Sequence, residues 1–271
     1  MNFTILGASG YIGSHLTAHL RRIGGKVFAP DRDDPSILKK KQLGHVINCV
    51  GLTSDFKEKP YDTVRAHVCY LLDFLEKAKF QSLLYLSSTR IYAGKKTARE
   101  HTDLVSNPEN PDQIYNLSKI MGESICFSTS RQTVRVARLS NVYGDDFTSN
   151  NFLCSILKDA VEKKEITLKS ALESEKDYIN ITDVVDILPK IAVSGSHRLY
   201  NIASGVNVSN KTLIELATKA TGCKVSVAKG ARSIKFPTID IKKAKTEFAF
   251  SPTLLQHDFD NLVNQLKDKH E

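Results

Sequence analysis

The sequence predicts an α/β fold: a doubly wound parallel sheet with helices on both faces, followed by a small C-terminal α/β lobe. Three observations predict it. Short continuous apolar runs alternate with amphipathic stretches, a glycine triplet follows the first run directly, and the alternation loosens after residue 144. With 271 residues, 41% of them hydrophobic, the chain is long enough to bury a sizeable core.

Residues 2–6 read as a strand that runs straight into Gly7-Ala8-Ser9-Gly10-Tyr11-Ile12-Gly13. Ile12, Leu16, Leu20 and Ile23 then recur at helical spacing, and Gly24-Gly25 stop that helix. Residues 26–30 form the second strand, followed by Asp31, and 46–50 form the third. Over 63–79, Val64, Val68, Leu71, Leu72 and Leu75 share one helical side. The run 83–86 is a strand ending in Ser87-Ser88-Thr89. A loop with Asn107-Pro108 and Asn110-Pro111 leads to a helix over 115–129, and 134–139 is the next strand. Beyond Gly144, 152–164 reads as a helix and 166–177 as a polar stretch. Strand and helix features return over 178–193 and 198–203, and helices over 211–221 and 254–267 end the pattern.

Composition narrows the function classes. No stretch approaches the roughly 20 apolar residues that cross a bilayer, and the first apolar run lacks a basic leader, so a cytoplasmic protein is expected. Five scattered cysteines argue against a disulfide framework and against a zinc site, and no metal is expected. The net charge of +8 comes without a long basic tract, which fits phosphate-bearing small molecules better than nucleic acid.

The spacing Gly7, Gly10, Gly13 between a strand and a helix has a mechanical meaning. The first glycine permits a tight turn, the second lets backbone approach a pyrophosphate, and the third lets the helix pack on the strand. The helix start offers free N–H groups and partial positive charge. With Asp31 at the end of the second strand, this is a Rossmann dinucleotide turn: Gly7, Ser9, Gly10, Tyr11, Ile12 and Gly13 cradle the phosphates and Asp31 holds the ribose. Asp31 tilts the choice toward NAD, while Arg32 could accept the extra phosphate of NADP. Residues 1–145, with 178–203 returning to them, form the expected dinucleotide-binding domain. The segments 146–177 and 204–271 form the expected substrate lobe.

A second signal is chemical. Tyr115 and Lys119 stand four apart on one helix and project from one face. An ammonium beside a phenol is expected to lower its pKa from about 10 toward working pH, and a strand-end hydroxyl can hold a carbonyl or alcohol meanwhile.

Together these residues resemble the extended short-chain dehydrogenase/reductase family, in its nucleotide-sugar epimerase, dehydratase and reductase branch. The likeness spans nearly the whole chain. It includes LSSTRIY at 86–92, YNLSK at 115–119, Met121-Gly122-Glu123, ARLSNVYG at 137–144, KDYINITDVV at 176–185 and LYNIASG at 199–205. The resemblance implies Ser88 as the catalytic hydroxyl, Tyr115 as acid/base and Lys119 as its partner, the last two also touching the cofactor beside Val50 and Gly51. It places Ser88, Thr89, Asn141 and Lys176 on the substrate, with Lys176 standing where an arginine near the diphosphate is common. Thr89-Arg90 occupy the positions of the Asp-Glu pair of sugar-nucleotide 4,6-dehydratases, which disfavours that elimination. The short segment between Asp31 and Val46 implies a missing strand or adenine-side loop. His67 replaces a common asparagine and is expected to be structural.

The implied activity is a nucleotide-diphospho-sugar 4-epimerase or 4-ketoreductase using NAD or NADP, in a homodimer built on the helices over 64–75 and 115–129. Reduction of a small non-sugar ketone or aldehyde, and a non-catalytic dinucleotide sensor or scaffold, are the alternatives.

Overall fold

The computed structural model describes residues 1–269 apart from 32–33, 35–36, 38–41, 54 and 150. Its main sheet contains β1 (Asn2–Leu6), β2 (Lys26–Phe28), β3 (His45–Asn48), β4 (Ser82–Ser88), β5 (Val134–Leu139) and β9 (Leu199–Ile202), in the order β2-β1-β3-β4-β5-β9. All its pairs are parallel. Neighbouring residues on a strand point to opposite faces, so a strand buried on both sides must be apolar throughout. That is why 83–86 reads Leu-Leu-Tyr-Leu: Leu84 and Leu86 enter one core and Leu83 and Tyr85 the other. Helices α1 (Tyr11–Arg22) and α6 (Ile181–Ser194) bury Leu16, Leu20, Val184 and Leu188 on the first face.

The second face is covered by two helical stretches. One consists of α2 (Pro60–Val64), a π-helical turn (Arg65–Cys69) and α3 (Tyr70–Lys77), and begins three residues earlier than the periodicity predicts. The other is α4 (Ile114–Ser128). Along the sheet the chain steps from β1 outward to β2, then reverses to β3 on the opposite side of β1. The C-terminal ends of β1 and β3 therefore form a topological switch point, where a parallel sheet opens a crevice. Among the described residues no strand pairs beyond β2.

The later part of the chain builds smaller sheets. Strands β6 (Asn141–Tyr143), β8 (Glu175–Asn180) and β10 (Asn207–Ser209) form one, and β7 (Glu165–Ser170) with β11 (Lys224–Arg232) another. The helices α5 (Phe152–Lys158), α7 (Asn210–Thr221) and α9 (Leu255–Asp268) pack around Ile166, Leu168, Leu213, Phe259 and Leu262. Between α7 and α9, α8 (Lys242–Phe248) joins the main core through Ala244. The stretch 166–177, read as merely polar, contains β7 and the start of β8. Only Ile166 and Leu168 of β7 face inward while its alternate residues meet solvent, so the strand hides in a polar average.

Candidate active site

A cleft of about 1300 Å³ opens at the switch point, and its walls come from both ends of the chain. On one side lie Gly10, Tyr11, Ile12 and Gly13, on the other Cys49, Val50 and Gly51. Gly7 takes φ +75, and a Cβ there would meet the Cys49 and Val50 backbone at 3.0 Å. A Cβ on Gly13 would lie 2.2 Å from the Gly7 carbonyl oxygen. Helix α1 starts at this turn without a side-chain cap, leaving its first N–H groups for an anion. A bare helix start, a glycine wall and a cleft of this size fit a dinucleotide. Gly7, Ser9 and Asp31 sit on or beyond the turn but outside the cleft lining, and Arg32 lies outside the described residues.

Ser88, Tyr115 and Lys119 converge on the same cleft from β4 and α4. The Ser88 hydroxyl lies near enough to the Tyr115 phenol to oppose the rise in its pKa. Lys119, 4% exposed, donates from Nζ to the Leu86 carbonyl at 2.9 Å and lies 5.0 Å from the Tyr85 ring. The expected lowering of the phenol pKa by this lysine is not what the structure gives. Burial raises the Tyr115 pKa above its ordinary value, and the opposing influences are the Ser88 hydroxyl and the Arg90 charge. The lysine itself is pushed down to about 7, chiefly by burial, with Glu123 and Cys49 opposing. Its ammonium is turned to a strand carbonyl, and desolvation dominates both groups.

His67 is fully buried on the π-helical turn beneath this cluster. Leu52 N–H donates to Nε2 at 3.1 Å, so the ring proton sits on Nδ1, which donates to Ser118 Oγ at 2.9 Å. Ser118 in turn donates to the Tyr115 carbonyl at 2.9 Å. Burial first, then the Lys119 charge, hold the imidazole neutral, its pKa lowered to about 2. The expected structural role thus takes a definite form: His67 ties the Gly51-Leu52 wall to the helix bearing Tyr115.

The rest of the cleft holds the residues expected to meet substrate. Thr89 lines it but is buried, and Asn141 Nδ2 is committed to the Asp177 carbonyl at 2.7 Å. Lys176 is partly buried with its ammonium 5.0 Å from the Phe152 ring. Sequence reasoning missed Phe56, whose ring lies 5.5 Å from that of Tyr115, and gave Arg90 no role beyond a missing carboxylate. Phe56 carries no motif. Arg90 had a signal in its place two residues after Ser88.

A parallel α/β sheet whose switch point opens on a serine–tyrosine–lysine cluster defines a dinucleotide-binding enzyme fold. The chain belongs to the NAD dependent epimerase/dehydratase family, whose model matches residues 3–203. It is 27% identical over 227 residues to dTDP-4-dehydro-6-deoxyglucose reductase of Escherichia coli, an alignment covering 77% of this chain and 68% of that one. Against UDP-glucose 4-epimerase of Lactobacillus helveticus it is 23% identical over an alignment of 307 residues, covering 93% and 92%. A solved structure of MoeE5 in complex with UDP-glucose and NAD matches with a TM-score of 0.83 at 19% identity, with 100% of each chain covered. The family and fold read from the sequence are borne out, as is an NAD(P)-dependent enzyme. No helix among the described residues is long and apolar enough to cross a membrane.

Proposed function

We propose that the protein moves a proton and a hydride at C4 of a nucleotide-diphospho-sugar, as a 4-ketoreductase or a 4-epimerase. The observation that carries this reading is the convergence of Ser88, Tyr115 and Lys119 on the cleft whose other wall is the glycine turn. The dinucleotide, when bound, supplies or accepts the hydride. Ser88 holds the C4 oxygen, and Tyr115 gives it a proton or takes one from it. Burial keeps the Tyr115 phenol in its acid form, the form that protonates a C4 ketone as it is reduced. Lys119, held on the Leu86 carbonyl with a pKa lowered to about 7 by burial, completes the cluster from the same helix.

A nucleotide sugar is supported by the size of the cleft, which exceeds what a small ketone beside a dinucleotide would fill. The reductase and epimerase relatives both carry a 4-position sugar chemistry in their names. We assign the dinucleotide to residues 1–145 with 178–203, the sugar nucleotide to 146–177 and 204–271, and NAD as the dinucleotide on account of Asp31. Two copies pair through α3 and α4, which leave Leu72, Met121 and Phe127 exposed.

Two measurements test the reading. Saturation-transfer NMR with UDP, CDP, GDP and dTDP should show contact with at least one, and silence from all four removes the nucleotide sugar. With the 4-keto form of the sugar nucleotide recognised, stoichiometric loss of absorbance at 340 nm means a reductase. Turnover of the parent sugar without net cofactor change means an epimerase.

A further inference from the structure

Arg90 leaves the 3₁₀ turn Thr89–Tyr92, two residues past Ser88, and enters the cleft at its reacting end. Its guanidinium carbon lies 4.7 Å from the Phe56 ring centre and 5.3 Å from that of Tyr115, so two aromatic rings fix its position. The backbone N–H of Arg90 caps onto Ser88 Oγ at 3.2 Å, which fixes the root of the side chain as well. Among the described residues the guanidinium has neither a hydrogen-bond partner nor an ion pair. Five N–H donors in a rigid fork are therefore presented toward the cleft.

Lys176 lines the same cleft. Burial first and then the Arg90 charge lower the Lys176 pKa, and Lys176 too forms no ion pair among the described residues. The two differ in place and chemistry. Lys176 sits by Phe152 and offers a compact point charge of the kind a diphosphate accepts. Arg90 sits over the ring of Tyr115 and offers a planar fork. A planar fork held at a sugar ring matches a planar anion on that ring.

We propose that Arg90 is a specificity-determining residue that pairs bidentately with a carboxylate on the sugar, so that the substrate class is a nucleotide-diphospho-uronic acid. The inference rests on the nucleotide-sugar reading above and narrows it. A neutral hexose would leave this guanidinium facing the ring without an anion, whereas a uronate satisfies two of its donors and neutralises it.

The test compares neutral and uronate members of two pairs on the NAD-loaded protein by isothermal titration calorimetry: UDP-glucose with UDP-glucuronic acid, and GDP-mannose with GDP-mannuronic acid. In at least one pair the uronate should bind about tenfold or more tighter than its neutral partner, as expected of charge-assisted hydrogen bonds. Arg90→Gln should bring that ratio close to one, and Arg90→Lys should restore only part of it. Lys176→Gln should weaken both members alike and leave the ratio standing. Because the readout is a ratio within one protein, a general loss of folding does not imitate it. If the neutral sugars bind but no uronate is preferred, the inference falls while the nucleotide-sugar reading survives. If Arg90→Gln weakens both members of a pair equally, Arg90 serves the diphosphate and the inference falls. If none of the four ligands binds, the inference falls, and the nucleotide-sugar reading is decided separately by the NMR contact with UDP, CDP, GDP or dTDP.

Discussion

The half of the cleft we assign to the dinucleotide is walled by the tightly packed main chain at 10–13 and 49–51, whereas the half we assign to the substrate is assembled from the side chains of Ser88, Arg90, Tyr115, Phe152 and Lys176, with Phe56 stacked behind Arg90 and Tyr115. The first half needs atoms to be absent: a Cβ on Gly13 or Gly7 would strike backbone. The second needs atoms to be present, on segments up to 120 residues apart. A backbone site should therefore tolerate truncation and refuse addition, and a side-chain site should do the reverse. Each half can be tested for the weakness the other lacks.

The largest effect is expected from Tyr115→Phe, which removes one oxygen from the substrate half. Turnover should fall by about 10²–10⁴-fold, the usual worth of acid–base catalysis. Dinucleotide affinity, measured by fluorescence titration, should stay within about twofold. Unchanged turnover would remove Tyr115 from the chemistry. Next comes the buttress of the same helix. The Glu123 carboxylate accepts two bonds from the Arg138 guanidinium, at 2.9 and 2.6 Å, with both side chains 4% exposed. Arg138 also donates to Tyr92 and to the Glu100 carbonyl. Glu123→Ala leaves a buried guanidinium uncompensated and should cost about 3–5 kcal/mol in urea unfolding. The pair Glu123→Leu with Arg138→Met should recover much of that.

The same division explains what the sequence discloses. The glycine turn is local: seven consecutive residues between a strand and a helix carry its whole geometry, so spacing alone reveals it. Tyr115 and Lys119 are legible for a similar reason, since four residues on one helix fix their relative direction. What the sequence could not show is where their charges go. Lys119 turns to the Leu86 carbonyl because β4 runs beneath α4, a tertiary fact absent from YNLSK. Phe56 and Arg90 meet over the Tyr115 ring from separate loops, and no period or spacing links them. Strand β7 escaped because its outward residues are polar and its partner β11 lies more than fifty residues away.

His67 joins the two halves, and its effect should appear in pH dependence. Its pKa is lowered to about 2 in the fold against an ordinary 6.5, by burial and by Lys119. Between those values the unfolded chain binds a proton that the folded chain refuses, so stability falls as pH falls below about 6.5. The contribution is about 1.4 kcal/mol per pH unit. His67→Asn keeps a donor and an acceptor but does not titrate. Urea unfolding from pH 6 to 4 should therefore show a slope shallower than wild type by about that amount. Equal slopes would mean that the imidazole is protonated in the fold, and the bond from Leu52 N–H to Nε2 would then be wrong.

The smallest effect sharpens the backbone side of the comparison. Gly13→Ala adds one carbon 2.2 Å from the Gly7 oxygen and 2.8 Å from its carbonyl carbon, both main-chain atoms at the foot of the turn. Neither can swing aside as a side chain would, so helix α1 must lift from β1. The cost is expected to be about 1–3 kcal/mol, the range for overpacking, with weaker dinucleotide binding because the free N–H groups move with the helix. Ser9→Ala is the matching truncation on the same turn. Ser9 is exposed and outside the cleft lining, so the change should stay within about 0.5 kcal/mol and leave affinity unaltered. Thermal unfolding with and without NAD reads both variants. A damaging Ser9→Ala beside a harmless Gly13→Ala would mean that this half of the cleft also works through side chains, and the contrast between the halves would be lost.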